Sequence, residues 1–243
     1  MPVRVLLLGA RGRMGQAVAA AAEKANVEIT AALDLGDEVT KYLGGCEVVI
    51  DFSNPGATAT LSRACRDAKK PAVIGTTGHS DKDRALIEEM AKSVPVVFSP
   101  NFSVGVNALF WLTRKAAEML GEGFDLEITE MHHRLKKDAP SGTAKKLAEV
   151  LCEARQLDYD KNVRHGRAGL VGERLAKEIG VHSLRGGDVV GDHTVTFAGA
   201  GERLELTHRA ASRETFALGA LRAAHWIVSR PPGLYTMEDV LGL

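Results

Sequence analysis

Within its first hundred residues the chain alternates short apolar runs with stretches of high helix propensity, and that alternation leaves few folds open. Val3 to Leu8 is a largely aliphatic run ended by Gly9, the pattern of a strand buried on both faces of a parallel sheet. An Ala-rich helix over Gln16 to Lys24 leads to a second strand, Val27 to Leu33, ending at Asp34. Strands over Glu47 to Phe52, Ala72 to Ile74 and Val94 to Phe98 follow, with helices over Gly56 to Lys69 and Lys82 to Lys92 between them. The rhythm predicts an α/β, Rossmann-like, doubly wound parallel sheet. It breaks after Ser99-Pro100-Asn101-Phe102. Beyond that point a helix over about Val106 to Leu120, a half-buried strand over Asp125 to Met131 and a helix over Gly142 to Arg155 are expected, then an irregular stretch to Gly180. Strand-like segments over Val181 to Leu184, Asp188 to Ala198 and Arg203 to Arg209 complete a central α+β block with a mixed sheet. A helix over Glu214 to Val228 and a short tail close the chain.

Composition narrows the partners. Lys plus Arg and Asp plus Glu each total 31, so no global field favours nucleic acid or an acidic membrane. Cys46, Cys65 and Cys152 form no C-x-x-C pair, which argues against a disulfide framework and against zinc. No stretch approaches the roughly 20 apolar residues of a membrane span, and the first residues lack the pattern of a signal peptide, so a cytoplasmic chain is expected.

Two segments carry chemistry. In GARGRMG, Gly9, Gly12 and Gly15 follow a strand and open a helix, where a dinucleotide turn must let the backbone approach a pyrophosphate while the helix amides face its charge. The spacing is G-x-x-G-x-x-G, and an ordinary strand-to-helix turn would also produce it. Asp34 closes the second strand about 20 residues further on, where an acid accepts hydrogen bonds from an adenosine ribose. Arg11 and Arg13 could pair with a 2′-phosphate, whereas Asp34 would repel it; either Arg could also be a solvated charge. Gly75-Thr76-Thr77-Gly78 and Ser99-Pro100-Asn101-Phe102 end the fourth and fifth strands, on the edge that lines the ligand crevice of such sheets.

The second segment is EMHHRLKKDAPSGTA, Glu130 to Ala144. His132 and His133 are adjacent at a strand end, so their side chains leave on opposite faces and cannot chelate one metal; no metal is expected. Histidine is the side chain best suited to proton donation near neutral pH, and Lys136 and Lys137 add positive charge. Ser141, Gly142 and Thr143 open a helix whose N-terminus forms an anion seat, although Ser141 could simply be an N-cap. Imidazole, ammonium and a helix N-terminus together suit a dianionic small molecule.

These motifs in this order, together with Asp51-Phe52-Ser53, SPNFSVGVN, RHGR at Arg164 to Arg167, GDVVGDHTVTFAG and ERLELTHRAASRETFALGA, resemble the dihydrodipicolinate reductase family over nearly the whole chain. EMHHRLKKDAPSGTA is the specific part of the match; the glycine turn alone is not. The resemblance implies reduction of 4-hydroxy-tetrahydrodipicolinate to tetrahydrodipicolinate, in lysine and diaminopimelate synthesis, by NADH or NADPH, with dual use expected. It implies a nucleotide domain of residues 1–103 and 213–243, a substrate and tetramerisation domain of 104–212, and a homotetramer. His132 then matches the general acid and Lys136 a second catalytic donor. His133, Ser141, Gly142 and Thr143 match substrate-carboxylate ligands. Gly9, Arg11, Gly12, Arg13, Met14, Gly15, Asp34, Phe52, Gly75, Thr76, Thr77, Ser99, Pro100, Asn101 and Phe102 fall around the cofactor. The chain departs from many members in its short segment between Asp34 and Glu47 and in Leu35, where some carry a basic residue, which argues against a strong preference for NADPH. Two rival readings stay open: another two-domain dehydrogenase, which would need no seat for two carboxylates, and a nucleotide-binding redox sensor, which would bind NADH without turnover.

Overall fold

The computed structural model describes residues 1–243 and divides into two compact units, Met1–Val104 with Arg213–Leu243, and Gly105–Ser212. In the first unit, β1 (Val3–Leu8), β2 (Val27–Leu33), β3 (Val48–Asp51), β4 (Ala72–Ile74) and β5 (Pro95–Phe98) pair in parallel in the order β5-β4-β3-β1-β2. Strand alternation divides their side chains between two cores. Val5, Leu7, Ile50, Val73 and Val97 face one side, with α1 (Arg13–Ala21) and α7 (Glu214–Ile227). Leu6, Leu8, Val49, Ile74 and Val96 face the other, with α2 (Thr58–Asp67) and α3 (Asp81–Ala91). Leu6 and Leu7 are each 0% exposed, the two-sided burial that an uninterrupted apolar run requires.

Most element limits fall within three residues of the sequence reading. Two segments differ in kind. The tail contains a sixth strand, β11 (Gly233–Tyr235), parallel to β5, and a short helix, α8 (Met237–Leu241), opened by a Thr236–Asp239 capping box. The stretch after Arg155 contains a one-turn helix, α6 (Tyr159–Asn162), and a short strand, β7 (Val163–His165). Unlike the wholly apolar Ala72–Ile74, the three-residue strands β7 and β11 carry polar residues or glycine and show no clear apolar or alternating pattern in sequence.

The second unit is a mixed sheet ordered β10-β9-β6-β8-β7, built from β6 (Asp125–His132), β7, β8 (Ile179–Arg185), β9 (Gly191–Gly199) and β10 (Glu202–Ala210). β6 runs parallel to β8 and antiparallel to β9. Leu126 and Ile128 of β6, Ile179 and Val181 of β8, and Val195 and Phe197 of β9 pack with Leu147 and Leu151 of α5 (Gly142–Arg155) and Leu109 and Phe110 of α4 (Val104–Leu120). No helix of the protein is long and apolar enough to cross a membrane.

Glu127, also on β6, lies between two arginines and a histidine. Arg167 Nη2 lies 2.8 Å from Oε1, Arg174 Nε 3.1 Å from Oε1 and His182 Nε2 2.7 Å from Oε2. Burial opposes its ionisation, but the hydrogen bonds from Arg167, His182 and Arg174 outweigh burial and bring the carboxyl down to about 2 from an ordinary 4.5. A carboxyl lowered on folding stabilises the native state above its unfolded value, and that contribution disappears as pH falls through the folded value. Thermal stability should therefore drop between about pH 4.5 and pH 2. In Glu127→Gln the drop over this window should be shallower, which calorimetry across the range would show.

Candidate functional site

Two groups of residues gather the chemistry, one in each unit. In the first unit, β1 to β5 all run the same way, so Gly9, Asp34, Phe52, Gly75 and Ser99 follow at one edge of the sheet. Gly9 has a φ of +77°, and a Cβ there would strike the carbonyl of Phe52. A Cβ on Gly15 would strike the backbone of Gly9 and Ala10. No side chain caps α1, whose N-cap is Gly12, so Arg13, Met14 and Gly15 present the first-turn amides at a positive helix end. Beside them lies a cavity of about 210 Å³ lined by Gly9, Asp34, Leu35, Asp37, Ser53 and Asn54 among others. A close-approach backbone, an uncapped helix start and a carboxylate in the neighbouring cavity fit the pyrophosphate and ribose of a dinucleotide.

Asp34 Oδ2 accepts the Arg11 backbone N–H at 2.9 Å, and the Arg11 Nε stands 3.7 Å away on a side chain 90% exposed. Asp37 Oδ2 accepts the Asp34 N–H at 2.8 Å, adding a second carboxylate that sequence reading passed over. Four other residues of the group, Thr76, Ser99, Phe52 and Phe102, have structural partners. The buried Thr76 hydroxyl donates to Asp51 Oδ2 at 2.8 Å, and Ser99 Oγ donates to the Asn101 carbonyl at 2.7 Å. Phe52 and Phe102 meet edge to face, 5.8 Å between centroids. Thr77 and Pro100 are exposed on the same edge.

In the second unit, the end of β6, the following loop and the start of α5 bring His132, His133, Lys136, Ser141, Gly142 and Thr143 onto one segment of chain. Ser141 is the N-cap, accepting the Ala144 N–H at 3.2 Å, and Gly142 is exposed with open space where a Cβ would stand. Lys136 is 19% exposed and held by Asp138, 2.8 Å from Nζ to Oδ2. His133 Nδ1 is buried without a hydrogen-bond partner.

Three residues outside the expected set complete this site. Glu130 lies within the quoted motif, two residues before His132 and so on the same face of β6; that spacing was the available signal. Its Oε2 lies 2.6 Å from His132 Nδ1, and its two oxygens receive the two guanidinium nitrogens of Arg185, each at 2.9 Å. Burial opposes ionisation of Glu130, but hydrogen bonds with His132, Arg185 and Ser183 hold it well below the usual carboxylate range. His193, directly across from Glu130 on β9, places Nε2 3.0 Å from Ser141 Oγ and meets the His132 ring edge to face at 5.2 Å. Burial, with His132 nearby, pushes His193 down to about 3, so it is neutral under ordinary conditions. Arg185 lies 55 residues from Glu130 and His193 52 residues from Ser141 in sequence, and only the sheet pairing reveals them.

Comparison with known proteins places the whole chain in one family. Residues 3–102 match the family model described as dihydrodipicolinate reductase, N-terminus, and residues 105–241 match dihydrodipicolinate reductase, C-terminus. The chain is 57% identical over 242 residues to the 4-hydroxy-tetrahydrodipicolinate reductase of Akkermansia muciniphila, covering 99% of this chain and 98% of the relative. It is 44% identical over 264 aligned positions to the protein of the same name from Geobacter metallireducens, with 99% of each covered. The solved structure of dipicolinate-bound dihydrodipicolinate reductase from Paenisporosarcina sp. TG-14 matches with a TM-score of 0.81 at 25% identity, over 98% of this chain and 99% of that one. A probable dehydrogenase from Thermotoga maritima, at 15% identity and TM-score 0.59, shares the fold alone. With both halves of the family model matched in order along its length, the chain belongs to the dihydrodipicolinate reductase family.

Proposed function

We propose that the protein reduces 4-hydroxy-tetrahydrodipicolinate to tetrahydrodipicolinate with NADH or NADPH, in the route to diaminopimelate and lysine. The observation that carries this reading is the seat on the second unit, where His132 and the Ser141 turn are held by one buried carboxylate. The names of the relatives and the dipicolinate in the related structure support it. Residues 1–104 and 213–243 hold the nucleotide, and 105–212 bind substrate and make the contacts of a homotetramer. The edge strand β10 exposes Leu204 beside Leu112 and Met119, an apolar groove suited to a subunit contact. A four-chain species in sedimentation would support the assembly, and a single-chain species would remove it. The enzyme works in the cytoplasm, without metal, nucleic acid or membrane.

The bound nucleotide supplies a hydride. Gly9, Gly12 and Gly15 admit its pyrophosphate to the start of α1 with Arg11, Arg13 and Met14, and Phe52, Gly75, Thr76, Thr77, Ser99, Pro100, Asn101 and Phe102 shape the crevice along the sheet edge. Asp34 binds the ribose. Gly142 and Thr143, at the positive end of α5, hold one substrate carboxylate with Ser141. His133 and Lys136 hold the other, Asp138 keeping the ammonium group in place. With that hydride supplied to a ring carbon after loss of water from the substrate, His132 would donate the proton that balances the reduction, and Lys136 would polarise the same region.

His132→Gln should lower kcat by roughly 10²- to 10⁴-fold, the usual contribution of a positioned proton donor. Turnover within a few-fold of wild type would remove it from the mechanism. Lys136→Ala should lower kcat and raise the substrate KM together, because one charge both binds and polarises. Pyridine-2,6-dicarboxylate, a planar dicarboxylate mimic, should compete with substrate; a protein indifferent to it would argue for a different dehydrogenase reaction.

Both nucleotides are used. Asp34 and Asp37 place two carboxylates near the ribose edge, while Arg11 is the cation available to a 2′-phosphate. Removing a charge that interacts across such a distance changes binding by about 1.5–3 kcal/mol, roughly ten- to a hundredfold. Asp34→Asn should raise kcat/KM for NADPH relative to NADH by an amount in that range, measured by paired steady-state assays. An unchanged ratio would place the ribose elsewhere.

A further inference from the structure

The mechanism above uses His132 but leaves open how an imidazole with two equivalent roles available to its nitrogens is committed to one. The surroundings of Glu130 answer this. The Glu130 side chain is 0% exposed, and its carboxylate oxygens meet donors and a ring nitrogen: His132 Nδ1 at 2.6 Å, Arg185 Nη1 and Nη2 at 2.9 Å each, and the Ser141 backbone N–H at 3.2 Å. The Ser183 hydroxyl is a further hydrogen-bond partner. An ionised carboxylate can only accept, so the nitrogen that faces it, Nδ1, must carry hydrogen in both the neutral and the charged ring. Nε2 is left as the nitrogen that gains and loses a proton.

The other side of the ring is equally specific. Gly191 opens β9, and a Cβ built there would stand 2.9 Å from His132 Nε2. With no Cβ at Gly191, no side-chain atom stands in that position against Nε2. Arg185, meanwhile, does more than neutralise Glu130. Its Nη2 also donates to the Asp138 carbonyl at 2.8 Å, and its Nη1 to the Leu184 carbonyl at 2.6 Å, so the same guanidinium ties the Lys136–Asp138 loop to the carboxylate.

Resting on the reductase reading above, we propose that Glu130 is the positioning residue of the site: held by Arg185, it accepts the Nδ1 proton of His132 and so presents Nε2 alone for proton transfer, through the opening left by Gly191. The same carboxylate accepts the Ser141 N–H, and therefore fixes the proton donor and the start of the substrate-carboxylate turn relative to each other. Glu130 never meets the substrate.

The test reads the tautomer directly. Two-bond ¹H–¹⁵N spectra of histidine-labelled protein, with His132 assigned through His132→Gln, should show a neutral His132 ring carrying its hydrogen on Nδ1 in the wild type. In Glu130→Gln the Nδ1–H form should lose its exclusive population, and kcat should fall at least thirtyfold while the substrate KM changes less than kcat. Should Glu130→Gln not fold, Gly191→Ala is the second variant: it removes no buried charge, crowds Nε2, and should lower kcat at least tenfold with the Nδ1–H form intact. A role confined to stability would lower the melting temperature of Glu130→Gln but leave both the tautomer and the kcat of the folded fraction unchanged. That outcome overturns the inference, as does an Nε2–H ring in the wild type or a Gly191→Ala enzyme as fast as wild type. Because the tautomer is read in the resting protein, it judges the role of Glu130 even if no reductase turnover is found, and an inactive wild type with Nδ1–H would count against the reductase reading alone.

Discussion

The second unit is organised around one buried charge. A carboxylate with no exposure is strongly destabilising unless paired, and removing one partner of such a pair typically costs about 3–5 kcal/mol. Glu130 is satisfied by four groups from three places in the chain: His132 on its own strand, Ser183 and Arg185 on β8, and the amide of Ser141 at the start of α5. Each of these segments is thereby held in one geometry. The loop from Arg134 to Pro140 follows, because Arg185 also binds the Asp138 carbonyl. His193 completes the arrangement from β9, neutral because it is buried, and hydrogen-bonded to the hydroxyl that caps α5. His132 and the Ser141 turn, the proposed proton donor and carboxylate seat, thus derive their positions from a group that is itself fully buried.

The first unit reaches its geometry by a different constraint, steric rather than electrostatic. The glycine turn brings backbone against backbone at Gly9 and Gly15, where any side chain would meet main-chain atoms. That closeness aims the uncapped end of α1 at the edge where the parallel strands finish. Acidic residues then shape the adjoining cavity, with Asp34 held by the Arg11 amide and Asp37 by the Asp34 amide. The two units therefore supply complementary electrostatics: a helix start with nearby carboxylates in one, and a helix start with imidazole and ammonium groups in the other.

Much of this was legible in the sequence, for identifiable reasons. Uninterrupted aliphatic runs such as Val5 to Leu8 announce strands covered on both faces, and glycine at a strand-to-helix junction announces close approach. The α5 start was visible because Ser141 and the apolar periodicity behind it both mark a helix N-terminus. What remained hidden depended on cross-strand partnership. Arg185 and His193 look like ordinary strand residues until β8 and β9 are laid beside β6, and Glu130 reads as one more charge beside two histidines until its burial is known. Likewise Thr76 and Ser99, grouped with the crevice by position, direct their hydroxyls inward to Asp51 and to the Asn101 carbonyl. Strand ends show which residues share an edge, but only side-chain packing shows which of them turn toward it.

Steady-state oxidation of NADH and, separately, NADPH by the purified protein is the most direct measurement, with 4-hydroxy-tetrahydrodipicolinate generated in place from pyruvate and aspartate semialdehyde by the preceding synthase. Substrate-dependent oxidation of both nucleotides, abolished by omission of the synthase, is the expected result. Binding of both nucleotides without any substrate-dependent oxidation would contradict the reductase assignment and favour a protein that senses the nucleotide without consuming it.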